Sequence, residues 1–205
     1  MMPANPVIVD MHGDSTTQGG TKLNGAYVIS TNNVPSALQR KYGAIVVVNN
    51  KGIPGLTAPQ RCIGASPALE TWEHAMSVSP AHIVTINYGI NDAYSGWETD
   101  NDVSFYFSEL IRIAQEHGKT VLVETPNPIN TPQYARLSQI ALVIRQLAKS
   151  KGLTLADHHQ WIQTGLPNWT ELLSDGVHPT DALYQYKADN LFTMINPLVQ
   201  WYMTH

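Results

Sequence analysis

The chain has 205 residues, a formal net charge of −4 and only 14% charged residues. This length supports a sizeable core, and we expect a single domain over residues 1–205. The negative balance and the lack of a Lys/Arg-rich run argue against nucleic acid and anionic membranes as partners. The one cysteine, Cys62, excludes an intramolecular disulfide and a cysteine-based zinc site. We expect Cys62 to be a small buried apolar side chain.

The sequence gives no sign of a targeting or membrane segment. Residues 1–5 carry no positively charged side chain, and the apolar run at 7–9 is too short for a signal-peptide core. No stretch approaches the roughly 20 apolar residues that span a bilayer. We therefore expect a soluble protein, while its compartment and its oligomeric state stay open.

Short apolar runs alternate with helical patterns along the chain. The run at 44–49 is continuous and β-branched, which is typical of a strand buried on both faces. Runs of this kind predict strands at 6–11, 44–49, 82–87, 120–124 and 153–157. Apolar residues at steps of three and four predict helices around 103–113, 137–147 and 184–198. Pro197 is expected to kink or end the last helix.

Strands that alternate with helices predict an α/β fold, in which helices cover both faces of a parallel sheet. Ligands of such sheets bind beyond the carboxyl ends of the strands. Four segments that follow predicted strands are therefore the candidates for chemistry: residues 13–16, 50–55, 89–92 and 125–128.

Residues near both ends of the chain have the chemistry of nucleophilic catalysis. Ser15 follows the first predicted strand, while Asp175 and His178 stand three residues apart near the other end. An acid that orients a histidine, a histidine that takes a proton and a serine that attacks form a hydrolytic triad. The N–H of Gly55 and the side-chain amide of Asn91 can hold an oxyanion. Taken singly, these residues also suit a helix cap or a turn.

Together these residues resemble the SGNH hydrolases, also called the GDSL esterase/lipase family. The four sequence blocks of that family appear in order: Gly13-Asp14-Ser15, Asn50-Lys51-Gly52-Ile53-Pro54-Gly55, Gly89-Ile90-Asn91-Asp92 and Asp175-Gly176-Val177-His178-Pro179. The resemblance implies a flavodoxin-like, three-layer α/β/α sandwich. Its five-stranded parallel sheet should have the strand order 2-1-3-4-5.

The resemblance also implies roles for individual residues. Ser15 would be the nucleophile, His178 the base and Asp175 the acid that orients it. Ser15, Gly55 and Asn91 would form the oxyanion hole, and no cofactor would be needed. The distance from Ser15 Oγ to His178 Nε2 should then be within about 3.5 Å. An Asp175 carboxylate oxygen should reach Nδ1 of the same ring.

The sequence departs from the family pattern at two positions and leaves one choice open. Thr16 stands where the family name has leucine, and His12 stands where an apolar residue is commoner. Gly52 competes with Gly55 as the second oxyanion donor, but the Asn-x-Gly-x-x-Gly spacing favours Gly55.

A metal site is the rival interpretation of the histidines. Asp10 and His12 alternate and so can share one strand face, and His158-His159 follow Asp157. His and carboxylate side chains do form catalytic metal sites. Strand spacing alone is permissive, however, and we expect no metal.

The substrate is a small-molecule or carbohydrate ester under this interpretation. Tyr88, Tyr94, Trp97 and Trp169 lie in or near loops where they can contact a sugar, or else cap the core. We expect an esterase for short acyl groups. A carbohydrate O-acetyl esterase, a thioesterase, a lysophospholipase and a catalytically inactive binding module on the same fold are the alternatives. An inactive module should lack a member of the constellation, and this chain retains all of them.

Overall fold

The structure is a computed structural model, which describes residues 6–65 and 69–205. Residues 1–5, which bear on the signal-peptide question, lie outside that description. The strands are β1 (Val7–Gly13), β2 (Gly20–Leu23), β3 (Ala26–Ile29), β4 (Val46–Gly52), β5 (Ile83–Asn87), β6 (Thr120–Glu124) and β7 (Thr154–Ala156). The helices are α1 (Ser15–Gln18), α2 (Val34–Tyr42), α3 (Ala58–Ile63), α4 (Trp72–Val78), α5 (Ile90–Ser95), α6 (Asp100–Glu116), α7 (Tyr134–Ser150), α8 (His158–Gly165) and α9 (Asp181–Thr204).

Five strands form one parallel sheet in the order β4-β1-β5-β6-β7. Counted along the chain, these strands stand in the order 2-1-3-4-5, so the predicted topology is confirmed. The strand predicted at 44–49 begins later and runs on to Gly52. Because β4 is an edge strand, its polar residues Asn50 and Lys51 can continue the strand while they stay exposed.

Helices cover both faces of the sheet, because successive side chains of a strand point to opposite faces. On one face, Val84 of β5 packs in a core with residues of α6 and α7 such as Phe107 and Ile144. On the other face, Ile83 packs with α2 and α9, including Leu191. The three-layer α/β/α arrangement is therefore confirmed.

The structure narrows one sequence expectation and corrects another. Of the two outcomes expected at Pro197, a kink or an end of the helix, the end is excluded, because helix α9 continues to Thr204. Proline has no N–H that could donate to the carbonyl of Thr193. Thr193 is exposed, so water can solvate this carbonyl instead. Burial of Ile195 and Val199 on either side sustains the helix. Cys62 is half-buried against the core rather than fully enclosed.

The parallel arrangement brings the segments of interest to one edge of the sheet. In the register, Gly13 at the end of β1 lies between Gly52 of β4 and Asn87 of β5. The loops that carry Ser15, Gly55 and Asn91 therefore start from neighbouring strands. None of the described helices is both long and apolar enough to cross a bilayer.

The two phenylalanines of α6 give a matched test of the core. Phe107 is fully buried, whereas Phe105 is 59% exposed on the same helix. We expect Phe107→Ala to lower the free energy of unfolding by about 3–5 kcal/mol, since it leaves a cavity. Phe105→Ala should change it by less than about 0.5 kcal/mol. Urea unfolding measures both, and equal effects would contradict the assigned layers.

Candidate active site

Ser15 stands where β1 turns into α1. A side chain on Gly13 would collide with the Thr17 side chain and the Asn87 carbonyl, so glycine permits this close turn. Asp14 caps the helix, because its Oδ1 accepts hydrogen bonds from Thr16 N at 2.8 Å and Thr16 Oγ1 at 2.9 Å. Ser15 is then the first helical residue, and its N–H has no partner within the helix. The hydroxyl and this N–H are available at the same edge of the sheet.

His178 and Asp175 extend from Ser15 in one line of contacts. Ser15 Oγ lies 3.0 Å from His178 Nε2, within the distance expected from the sequence. Nδ1 of the same ring lies 2.9 Å from Asp175 Oδ2. An ionised carboxylate can only accept hydrogen bonds, so Nδ1 carries the proton and Nε2 faces the serine as an acceptor. This is the tautomer that can remove the Ser15 proton.

The Asp175 carboxylate also shapes the turn that carries the histidine. Its Oδ1 accepts hydrogen bonds from Val177 N at 3.0 Å and His178 N at 2.8 Å. Burial alone would raise the pKa of Asp175, but the hydrogen bonds from His178 and Val177 outweigh it and hold the pKa below its ordinary value. Lys22 Nζ lies 3.7 Å from Oδ2 and adds a favourable charge. The carboxylate is therefore ionised at neutral pH.

A hairpin that the sequence analysis missed packs against this turn. Strands β2 and β3 pair in antiparallel register around Asn24-Gly25, whose φ angles of 51° and 81° are both positive. Lys22 N donates to Ser174 Oγ at 2.8 Å, and the Tyr27 ring meets the His178 ring edge-on at 5.5 Å between centroids. The Asn-Gly pair was the available signal, because such pairs favour two-residue hairpin turns.

Gly55 lies in a turn that follows β4. Its φ of 74° is left-handed, and the surroundings of its Cα are open, so the backbone angle rather than crowding favours glycine. A hydrogen bond from Leu56 N to Ile53 O closes the turn and does not use the Gly55 N–H. The N–H of the competing Gly52 already donates to Asn50 Oδ1 at 3.0 Å. Of these two glycines, Gly55 thus has the available donor.

Asn91 is held beside the Gly55 turn. Its Nδ2 donates to Leu56 O at 3.1 Å. The next residue, Asp92, supports this placement, because its carboxylate accepts from Gly89 N at 3.0 Å and Ala58 N at 2.9 Å. Burial raises the pKa of Asp92 to about 8, and the nearby charge of Glu98 adds to this shift. The bracing role of Asp92 was not recognised from the sequence.

The aromatic residues predicted to contact substrate differ in accessibility. Tyr94 is 45% exposed and Trp97 is 57% exposed. Trp169 is half-buried and stacks on Tyr134, with centroids 6.2 Å apart. The prediction for Tyr88 is wrong. This residue lies on the same face as Val84 and Ile86 of β5, so its side chain is enclosed in the core.

Asp10 and His12 do share a strand face, and both side chains are buried in the fold. The Asp10 carboxylate accepts from Asn49 Nδ2 and Ser79 Oγ, each at 2.7 Å. Burial lowers the pKa of His12 well below its ordinary value, and nearby Arg61 adds to this shift. In the described part of the chain, no three His, Cys, Asp or Glu side chains are grouped so that they could hold a metal ion.

The histidines at 158 and 159 are also engaged within the fold. His158 Nε2 lies 2.8 Å from Glu124 Oε2, and both side chains are buried. Burial lowers the pKa of His158, although the hydrogen bond with Glu124 opposes the shift. His159 Nε2 lies 3.2 Å from Ser138 Oγ, and its ring stacks on Tyr134.

A buried lysine lies beneath the site, and sequence analysis had not connected it to the chemistry. Lys187 of α9 is fully buried, and its Nζ donates to Asn127 Oδ1 at 3.1 Å. Burial lowers the pKa of Lys187 to about 8, although the charges of Glu124 and Asp14 oppose the shift. The side chain is therefore still protonated at neutral pH.

Apolar walls near the site come from the segment after β4. A cavity of about 350 Å³ borders Gly55 and is lined by Ile53, Leu56 and Leu69, among others. The loops after β5 and β6, by contrast, are polar and aromatic. The cavity offers apolar contact to a group bound beside Gly55.

The sequence matches one family over most of its length. Residues 11–186 match the GDSL-like lipase/acylhydrolase family. The match runs from β1 into α9 and so includes the Ser15, Gly55, Asn91, Asp175 and His178 positions. No curated protein sequence matches the chain significantly.

Solved structures with a similar fold include three esterases or lipases. A lipase/acylhydrolase from Enterococcus faecalis is 19% identical, with a TM-score of 0.75 and coverage of 94% of this chain and 96% of that one. A carbohydrate acetylesterase from Sinorhizobium meliloti is 15% identical, with a TM-score of 0.75 and coverage of 94% of this chain and 99% of that one. An acetylxylan esterase from Geobacillus stearothermophilus is 20% identical, with a TM-score of 0.73 and coverage of 95% of this chain and 96% of that one. At these identities the likeness shows the fold alone.

The hydrogen bonds of Asp175 predict how substitutions affect the turn. Asp175→Ala should lower the free energy of unfolding by roughly 1.5–3 kcal/mol near neutral pH, since two backbone N–H groups lose a charged acceptor. Asp175→Asn should lower the free energy of unfolding by less, because asparagine keeps an acceptor oxygen. Urea unfolding of both variants and the wild type gives the comparison.

The same comparison has a defined pH dependence. The folded pKa of Asp175 lies below its ordinary value of 3.8. Its stabilising contribution is therefore complete above that value and disappears as the pH falls through the folded pKa. The difference between the wild type and Asp175→Ala should shrink in strong acid. A difference that grew on acidification would contradict the assigned shift.

Proposed function

Because this chain belongs to the GDSL-like lipase/acylhydrolase family and is a carboxylic ester hydrolase, we propose that it cleaves short-acyl esters by acyl transfer to Ser15. The observation that carries the proposal is the line of contacts from Ser15 through His178 to Asp175, at 3.0 and 2.9 Å. A nucleophile, a base and an orienting acid in this sequence of contacts are the requirements of such a reaction.

Acylation begins when His178 Nε2 takes the proton of Ser15 Oγ. The oxygen forms a bond to the carbonyl carbon, and the carbonyl oxygen becomes an oxyanion. Collapse of this intermediate breaks the bond to the alcohol oxygen, which receives the proton from His178. Water then attacks the acyl-enzyme by the same route and releases the acid. Asp175 keeps the ring in its reactive tautomer and stabilises the imidazolium.

The oxyanion is held by three neutral donors in this proposal. They are the Ser15 N–H at the start of α1, the Gly55 N–H in its turn and the Asn91 side-chain amide. The contact of Asn91 with Leu56 O keeps the amide next to the Gly55 turn. Each donor is worth roughly 3 kcal/mol in transition-state stabilisation. Two of the three are backbone groups of the fold, so the proposal requires little reorganisation of them during the reaction.

A carbohydrate O-acetyl ester is the substrate candidate that the exposed aromatic residues favour. Trp97 and Tyr94 are exposed, and Tyr94 Oη donates to Thr131 Oγ1 at 2.9 Å, which fixes its ring. Exposed, oriented aromatic rings offer flat surfaces on which sugars can pack. Two of the similar folds are named as a carbohydrate acetylesterase and an acetylxylan esterase, which supports this candidate.

Removing either side chain of the contact between Ser15 and His178 should abolish turnover. Ser15→Ala and His178→Ala should each lower kcat for p-nitrophenyl acetate by about three to six orders of magnitude. The double variant should be little worse than either single one, because these groups act as a unit. Circular dichroism checks that the fold is intact. Near wild-type turnover by Ser15→Ala would refute the nucleophile assignment.

The acyl preference follows from the limited apolar surface. Each buried methylene is worth about 0.8 kcal/mol, but only where a wall receives it. The apolar wall lies on the Gly55 side, whereas the loops after β5 and β6 are polar. The value of kcat/KM should be highest for acetyl to butyryl p-nitrophenyl esters and lower for octanoyl and longer ones. A steady rise to dodecanoyl would contradict this.

The carbohydrate candidate requires acetate release from an acetylated sugar, and Ser15→Ala should abolish this release.

A further inference from the structure

We propose that Lys187 and Asn127 are positioning residues for His178, forming a buried bridge from α9 to the turn at 175–178. This inference rests on the proposed role of His178 as the base. Neither residue touches the reacting atoms, and both would act through the histidine.

The first part of the bridge is the buried ammonium. Lys187 is fully enclosed, and its direct partner is the Asn127 amide oxygen at 3.1 Å rather than a carboxylate. Enclosing a charge without a direct counterion is costly, so a packing role alone would be better served by an apolar side chain. The charges of Asp14 and Glu124 favour the protonated form from a greater distance. The chain therefore keeps a strong donor at this position.

The second part is the orientation of the Asn127 amide, which is also fully buried. Its Nδ2 donates to Pro128 O at 3.1 Å and Val177 O at 3.2 Å. An ammonium group has donors and no acceptor, so Lys187 fixes which end of the amide faces it. The NH2 group must then face Val177. A flipped amide would instead set two carbonyl oxygens against each other.

The third part is the turn itself. Val177 O is held by Asn127, and Val177 N is held by Asp175 Oδ1. The adjoining Gly176 O accepts from Asn130 N at 2.7 Å. The peptide groups directly before His178 are thus fixed from two sides. Small displacements of a reacting group are costly in rate, and the position of the His178 ring follows from these peptide groups.

The test uses two variants that break the bridge at different atoms. Lys187→Met removes the ammonium with little change in volume. Asn127→Asp keeps an acceptor for Lys187 but removes the donors to Val177 O. Tyr186→Phe is the matched control, since it lies next to Lys187 and loses a hydrogen bond to Trp161 O, in α8 rather than in the turn.

We expect Lys187→Met and Asn127→Asp each to lower kcat for p-nitrophenyl acetate roughly ten- to a hundredfold with KM unchanged. The double variant should lose little more than either single one, because both act through one path. Amide hydrogen exchange of Val177 and His178, which reports opening of the turn, should become faster in both variants. Tyr186→Phe should keep the wild-type kcat and exchange rates.

Wild-type kcat and exchange rates in Asn127→Asp would overturn the proposal, even if Lys187→Met failed to fold. The proposal would also be overturned if kcat fell in proportion to the loss of stability in all three variants, the control Tyr186→Phe included. Exchange is measured without substrate, so it still reports on the bridge if Ser15→Ala retains turnover. Failure of the bridge and failure of the proposed function are therefore separable.

Discussion

One carboxylate, that of Asp175, determines the conformation on which the candidate site depends. Its first oxygen ties down the backbone of the turn, and its second contacts the imidazole that faces Ser15. The same group thus sets the position and the tautomer of His178. Because it remains ionised at neutral pH, both effects persist where an esterase would work. The short spacing between acid and base is what allows one side chain to make both contacts.

The sheet supplies the other partners from distant parts of the sequence. Ser15 and His178 are separated by 163 positions, yet their side chains are in contact. Parallel strands achieve this because each returns its carboxyl end to the same edge. Neighbouring strands β4, β1 and β5 deliver Gly55, Ser15 and Asn91. Helix α9 then follows the histidine turn and encloses Lys187 beneath it.

Much of the fold was predictable, because apolar periodicity reports directly on burial. The short apolar runs predicted the five sheet strands, and the alternation of strands with helices predicted a layer of helices on each face of the sheet. Strand ends were less predictable, since β4 continues through polar residues that an edge strand tolerates. The hairpin at Asn24-Gly25 had a local signal that was overlooked. Tyr88 was misjudged because a residue just beyond a strand was treated as part of a loop rather than as a continuation of its alternation.

The residues of the candidate site were likewise predictable only in part. Ser15, Gly55, Asn91, Asp175 and His178 stand in short blocks, so their grouping could be predicted, whereas their chemical roles stay predictions. Lys187 and Asn127 could not be found, because they lie 60 positions apart with no local motif. A lysine in an amphipathic helix is normally assigned to the solvent face. Its burial is a tertiary property that helical periodicity does not encode.

The polar end of β4 has a consequence for self-association. An edge strand exposes unpaired backbone groups that another chain can extend into a longer sheet. Val47 on this strand is partly exposed, which favours such stacking. Lys51 and the amide of Asn50 are exposed farther along the same edge, and a charged edge residue makes strand addition costly. The strand that leads to Gly55 thus carries its own protection against aggregation.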